Sequence, residues 1–208
     1  MKLLKVVANH FKNCCDGFTI DLSAQSKKTA EDKEYELQEI APELFVFNTA
    51  AFVGKNASGK TTAIELLDCA YSILGDFRLE DKHYSYDGVE LEITFYHEGY
   101  LYLYETTLSS GKTLNNQASF GNEHIYRKKY YKTYVDQIYE RSSYEELTDL
   151  GDLPEDTSNI FFILKKKQTR ALFFDSHTGG ADTYQLLFRA LTVVSTIDET
   201  NCCLISFF

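Results

Sequence analysis

The chain has 208 residues, of which 44% are hydrophobic and 14% aromatic, enough for one sizeable core and too apolar for a disordered segment. A formal charge of −10 and a pI near 5.0 leave no global electrostatic footprint for nucleic acid or an anionic membrane, so any nucleic-acid contact has to be local. No apolar run approaches the ~20 residues that span a bilayer, and Met1-Lys2-Leu3-Leu4-Lys5 is not followed by a signal-peptide core, which points to a cytoplasmic protein without a membrane partner.

Leu3 to Ala8 suits a short strand, and Phe18-Thr19-Ile20-Asp21-Leu22 alternates like its partner, with Asn13 to Gly17 as the turn of an opening hairpin. Residues Ser23 to Glu39 are polar and charged and read as a solvated loop or short exposed helix. The five cysteines, at 14, 15, 69, 202 and 203, have neither metal-ligand spacing nor the pattern of a disulfide framework, so reduced and mostly buried thiols are expected. The five histidines form no helix-face pair suited to zinc.

Leu44 to Val53 is a mostly apolar run that predicts a buried strand. Gly54-Lys55-Asn56-Ala57-Ser58-Gly59-Lys60-Thr61 follows and satisfies the phosphate-binding loop pattern G-x-x-x-x-G-K-[ST]. Thr62 then opens a predicted helix with apolar positions at Ala63, Ile64, Leu67, Ala70, Tyr71 and Leu74, stopped by Gly75. The pattern has a chemical logic. Gly54 and Gly59 let backbone N–H groups turn inward around a triphosphate, Lys60 reaches its β- and γ-phosphates, and the Thr61 hydroxyl ligates Mg²⁺. The helix N-terminus adds a positive dipole end.

Farther on, Val89 to Tyr96 and Tyr100 to Leu108 alternate around the turn His97-Glu98-Gly99, predicting an antiparallel hairpin, and Asn115 to Asn122 is polar and irregular. Tyr126-Arg127-Lys128-Lys129-Tyr130-Tyr131-Lys132 is a local basic and aromatic cluster. It offers stacking rings and cations to a nucleic acid, but burial of the rings beneath solvated lysines is the preferred reading. Tyr144 to Gly151 is acidic and runs toward a boundary near Pro154; Ile160 to Leu164 is apolar and meets Lys165-Lys166-Lys167 as a solvated helix end. Ala171 to Asp175 and Tyr184 to Leu191 read as a short strand and an amphipathic helix around Gly179-Gly180. Cys202 to Phe208 either docks as a strand or marks a fragment of a longer chain, and the fragment is preferred.

The opening hairpin with His10-Phe11-Lys12-Asn13 between its strands, the phosphate loop and the hairpin at 89–108 together resemble the N-terminal half of an ABC-type ATPase head, over roughly residues 1–140. The likeness is closest to the RecF, SMC and OLD branch, particularly the small AAA-labelled ATPases of abortive-infection and anti-phage defence. It implies an α/β P-loop NTPase fold, in which a mixed sheet with flanking helices carries an antiparallel β subdomain over about 89–150. One domain would span 1–208 as the N-terminal portion of a longer ATPase. The resemblance also implies ATP and Mg²⁺ as cofactors, with Gly54, Lys55, Asn56, Ala57, Ser58, Gly59, Lys60, Thr61 and Thr62 holding phosphates and metal, and Lys12 and Asn13 near the adenine. ATP binding would close a homodimer that controls a protein effector or acts on DNA.

Hydrolysis needs an acidic pair after an apolar strand. Phe173-Phe174-Asp175 has Ser176 where the second acid belongs, whereas Val193 to Glu199 ends in Asp198-Glu199 after a strand weakened by Ser195 and Thr196. The catalytic residues are therefore left open, as is the glutamine that senses Mg²⁺, with Gln117 and Gln137 as candidates. A nucleotide-binding interaction module without hydrolysis is the alternative. A P-loop kinase ranks below it because no arginine-rich lid follows, and a GTPase lower still because N-K-x-D is missing.

Overall fold

A computed structural model describes residues 1–24, 36–56, 58–80, 84–110, 117–148, 150–165, 192–194 and 202–206. The chain opens with β1 (Lys2–Asn9) and β2 (Phe18–Asp21), paired antiparallel with Val6 opposite Ile20. β7 (Glu90–His97) and β8 (Tyr100–Ser109) form the second expected hairpin. Glu98 and Gly99 sit at φ 46° and 84°, the two left-handed positions of a type I′ turn, whose twist matches that of the strands it joins.

These hairpins belong to one sheet. With β9 (Ser119–Lys129) and β10 (Glu145–Glu146) they build six strands in the order β10-β9-β8-β7-β1-β2. The stretch 89–150 is thus antiparallel as expected, but it is continuous with the opening hairpin through the β1·β7 ladder. Two smaller sheets complete the strands: β3 (Ser23–Ala24), β5 (Leu44–Phe47) and β4 (Leu37–Ala41) in one, and β11 (Thr192–Val194), β12 (Cys202–Ser206) and β6 (Thr49–Val53) in the other.

Every ladder among the described residues is antiparallel, so the mixed sheet expected from the sequence is not found there. Tight turns join β4 to β5 and β7 to β8, and a two-residue turn can only reverse the chain.

The core has two parts. Strand alternation sends Val6 and Ala8 of β1, Ile93 and Phe95 of β7 and Tyr102 and Tyr104 of β8 into a cluster with α1 (Lys60–Asp76), which buries Leu66, Leu67, Ala70, Ile73 and Leu74. Leu4, Leu101 and Tyr130 instead meet Ala41, Leu44 and Val46 of the small sheet and Ile138 in a second cluster. Tyrosine hydroxyls fasten that second layer: Tyr130 donates to Pro42 O at 2.7 Å, and Tyr139 to Asp21 Oδ1 at 2.8 Å.

Several expectations need correction. The run Leu44 to Val53 is two strands in different sheets, broken at Asn48. Nor is its second half buried: Thr49, Ala51 and Val53, which share one face of β6, are exposed, Val53 by 69%, while Ala50 and Phe52 on the other face are half-buried. The helix stops at Phe77 and not at Gly75. Phe77 takes φ 60° and donates its N–H to Ile73 O at 3.2 Å, a strain offset by a ring that is 5% exposed and meets Phe161 edge-on at 5.6 Å. Half of the supposedly irregular stretch 115–122 is strand, since β9 starts at Ser119 and absorbs Asn122 (φ 48°) near a register shift opposite Glu105 to Thr107.

The polar stretch 23–39 ends in strand at both sides, in β3 and β4, and the acidic stretch after Tyr144 contributes β10. Cys69 is buried as expected, but Cys15 is exposed and Cys14 half-buried. Ile160–Lys165 is the helix α2, as its lysine-terminated pattern suggested. Cys202–Ser206 of the final apolar run docks as a strand, with Leu204 opposite Ala51. The strand expected at 171–175 and the helix at 184–191 lie outside the described residues. No helix among the described residues is long and apolar enough to cross a membrane.

Candidate functional site

The expected strand, loop and helix occur in succession: β6 ends at Val53, α1 begins at Lys60, and residues 54–59 connect them. Gly59 is the residue before the helix and adopts φ 88°, ψ 8°, a conformation that costs glycine little and other residues more. Its carbonyl still accepts the Ala63 N–H at 3.0 Å, so the first helical turn closes directly behind the loop. Gly54 is required for a different reason. Its φ is unexceptional, but a Cβ there would stand 2.5 Å from Ser58 Oγ and 3.3 Å from Ser58 Cβ. The loop folds on itself tightly enough that Ser58 N–H reaches Lys55 O at 3.2 Å.

Lys60 folds back over this loop, its Nζ donating to Gly54 O and Lys55 O, each at 2.8 Å. The ammonium is therefore held against the carbonyls that open the loop, and its own residue is the first of a 17-residue helix. Positive charge from the side chain and from the helix N-terminus thus lies on the same side of the chain as the loop, an arrangement that can attract an anion. Lys55, Asn56, Ser58 and Thr61 are exposed, so their polar groups are open to an incoming ligand. Thr62 is half-buried, and Ala57 lies outside the described residues.

Lys12 and Asn13 occupy the β1–β2 turn. Asn13 is exposed, and Lys12, at φ 52°, reaches across to α1, where its Nζ ion-pairs with Glu65 and stands 4.3 Å from the centre of the Tyr84 ring. The Phe11 side chain beneath it is buried and meets Tyr84 edge-on at 5.7 Å. Sequence reading missed the Glu65 contact because its partner is 53 residues away.

The glutamine candidates do not assemble with the loop. Gln117 bridges to Glu80, beyond the C-terminal end of α1 and about 25 Å along the helix from Lys60 at 1.5 Å per residue. Gln137 lies in the 3-10 segment Lys132–Gln137, and its carbonyl accepts from Lys128 Nζ. Both acidic candidates, Asp175 and the Asp198-Glu199 pair, fall outside the described residues.

The basic and aromatic cluster is engaged internally. Arg127 lies over Tyr100 at 5.0 Å, Lys128 over Tyr144 at 4.3 Å and Lys129 over Tyr131 at 5.4 Å, while Lys132 pairs with Glu43 at 2.9 Å. Arg141 stacks on Tyr126 and grips Glu105 with both terminal nitrogens. Cations already facing carboxylates and rings of their own chain have less to offer a phosphate backbone.

Comparison of the chain with protein-family models, with curated proteins and with solved structures found no match in any of the three.

Proposed function

We propose that this chain is an ATP-binding domain whose residues 54–61 hold the triphosphate and whose Thr61 takes the Mg²⁺. The observation that carries the reading is the Lys60 ammonium, held by Gly54 O and Lys55 O over a loop that runs into a helix N-terminus. When ATP and Mg²⁺ are bound, Lys60 exchanges these carbonyls for phosphate oxygens, and backbone N–H groups of the loop supply the remaining donors. Mg²⁺ neutralises charge on the phosphates, with the Thr61 hydroxyl as one of its oxygen ligands.

The resemblance of the opening hairpin and phosphate loop to ABC-type ATPase heads of the RecF, SMC and OLD branch extends the proposal. The domain is a nucleotide-dependent dimerisation switch in the cytoplasm, working with a protein effector in DNA-linked or anti-phage defence. Turnover would require an acidic pair, and Asp198-Glu199 is the candidate. The second reading is a nucleotide-binding module without hydrolysis; among the described residues Glu65, the carboxylate one turn beyond Thr61 on α1, is ion-paired with Lys12.

The test is Mg-ATP binding and turnover for wild type, Lys60→Ala and Glu199→Gln, with mass measured in solution. Binding lost in Lys60→Ala supports the site. Turnover lost in both variants, with an ATP-dependent dimer, supports the ATPase; binding without turnover supports the module; no binding by wild type overturns the reading.

A further inference from the structure

Glu65 stands four residues after Thr61 on α1, so the two share a helix face. Helical side chains lean toward the N-terminus, which brings the Glu65 carboxylate over the turn that carries Thr61. A carboxylate there should repel a triphosphate. Its observed partner resolves the difficulty: it ion-pairs with Lys12 Nζ, and the two side chains are only 27% and 25% exposed. The ammonium is held from another side by the Tyr84 ring at 4.3 Å. Tyr84 is fixed in turn by Phe11, by the Tyr86 hydroxyl at 3.5 Å and by Cys69 Sγ at 3.8 Å. Lys12 sits at the tip of a turn, with φ 52° and a flexible stem, and these two contacts fix where its ammonium lies.

We propose that Glu65 is a positioning residue of the nucleotide site, which with Tyr84 fixes the Lys12 ammonium beside the first turn of α1 and so ties the β1–β2 turn to ligand binding. The inference rests on the nucleotide-binding reading above. It makes a prediction of unusual sign. If the carboxylate acted only through its charge, removing it would tighten the binding of an anion; if it positions Lys12, removing it weakens that binding.

The experiment is titration of the full chain with Mg-ATP for wild type, Glu65→Gln, Glu65→Asp, Lys12→Met and the double variant Lys12→Met with Glu65→Gln, with thermal unfolding measured without nucleotide to establish that each is folded. Lys12→Met should weaken binding about tenfold and Glu65→Gln about three- to tenfold, with Glu65→Asp closer to wild type. The double variant should bind no more weakly than Lys12→Met alone, because without Lys12 the carboxylate has nothing to hold. If Glu65→Gln binds as tightly as wild type or more tightly, or if the two losses add in full, the positioning role is overturned while nucleotide binding stands. Should Glu65→Gln fail to fold, unchanged affinity in Lys12→Met overturns the role by itself. A wild type that binds no Mg-ATP overturns both inferences.

Discussion

Tyr104, fully buried in β8, donates its hydroxyl to Glu123 Oε1 at 2.5 Å, and the same oxygen accepts the Asn159 backbone N–H at 2.9 Å. Ser158 Oγ lies 2.9 Å from both the Tyr104 hydroxyl and Glu123 Oε1. One carboxylate thus joins β8, β9 and the segment that starts α2. Burial first, and the nearby carboxylate second, push the Tyr104 hydroxyl well above the ordinary tyrosine range, which keeps it a donor. Replacing Glu123 with Ala leaves several buried donors without an acceptor and should cost about 3 kcal/mol, whereas Tyr104→Phe removes one donor and should cost about 1 to 2 kcal/mol. Urea unfolding of the two variants checks the order; equal stabilities would contradict it.

The two glycines of the loop before α1 should fail differently. In Gly54→Ala the new methyl collides with Ser58, 2.5 Å from its Oγ, so the loop should open and, if it holds Mg-ATP as proposed, affinity should fall. Adding Ser58→Gly removes the obstacle and should restore much of that affinity. At Gly59 a Cβ meets nothing within 4 Å, but φ is 88°. Gly59→Ala should therefore lower stability by about 1 kcal/mol, a cost that no change at Ser58 relieves. Isothermal titration and thermal unfolding of the three variants separate space from backbone conformation.

Lys128 supplies a pH test. Burial pushes its ammonium down to about 8, opposed by the Glu140 charge, although Nζ donates to Gln137 O and Ser143 Oγ. Between that value and the ordinary lysine range near 10.5, the folded chain binds fewer protons than the unfolded chain, so stability rises with pH there. The penalty for holding the ammonium is complete below about pH 8 and is relieved as the pH climbs through it. Stability measured from pH 7.5 to 9.5 should show this rise in wild type, and Lys128→Met should flatten it. Tyr139 and Tyr144, whose hydroxyls burial raises, act in the opposite direction only once unfolded tyrosine begins to ionise near pH 10.

Phe77 combines a strained backbone with a buried ring, and the ring should dominate. Phe77→Ala keeps the left-handed strain and loses the packing against Phe161, so it should destabilise by about 3 kcal/mol. Phe77→Gly relieves the strain and should recover roughly 1 kcal/mol of that loss. Chemical denaturation of both variants measures the difference, and Phe77→Gly as stable as wild type would show that the ring contributes no more than the strain costs.

Local pattern told most about local structure. Alternation and a turn with glycine were enough to place β1–β2 and β7–β8, because a two-residue period and a tight reversal are properties of a few neighbouring residues. The order of strand, connection and helix around residues 49–76 was legible for the same reason. Asn48 gave no comparable sign that it separates two sheets, since the apolar run continues through it and what divides it is the choice of partners, Ser23–Ala24 and Leu37–Ala41 for β5 against the remote Cys202–Ser206 for β6. Phe77 was hidden because its conformation is imposed by Ser158, whose N–H donates to its carbonyl at 2.7 Å, and by the Phe161 ring. Glu65 looked like an ordinary helix residue until the fold brought Lys12 to it.

The pairing of β6 with β12 sets an order on biosynthesis. As the chain leaves the ribosome, every strand of the six-stranded sheet has been made once Glu146 appears, and α1 can pack on it. Strand β6, which leads into the loop before α1, must wait longer, because its ladder among the described residues is with Cys202–Ser206. A nascent chain halted near Lys165 would carry the loop and its helix on a nearly finished core while Thr49–Val53 still lacked that partner. Its backbone N–H and C=O groups would then be open to whatever strand arrived first.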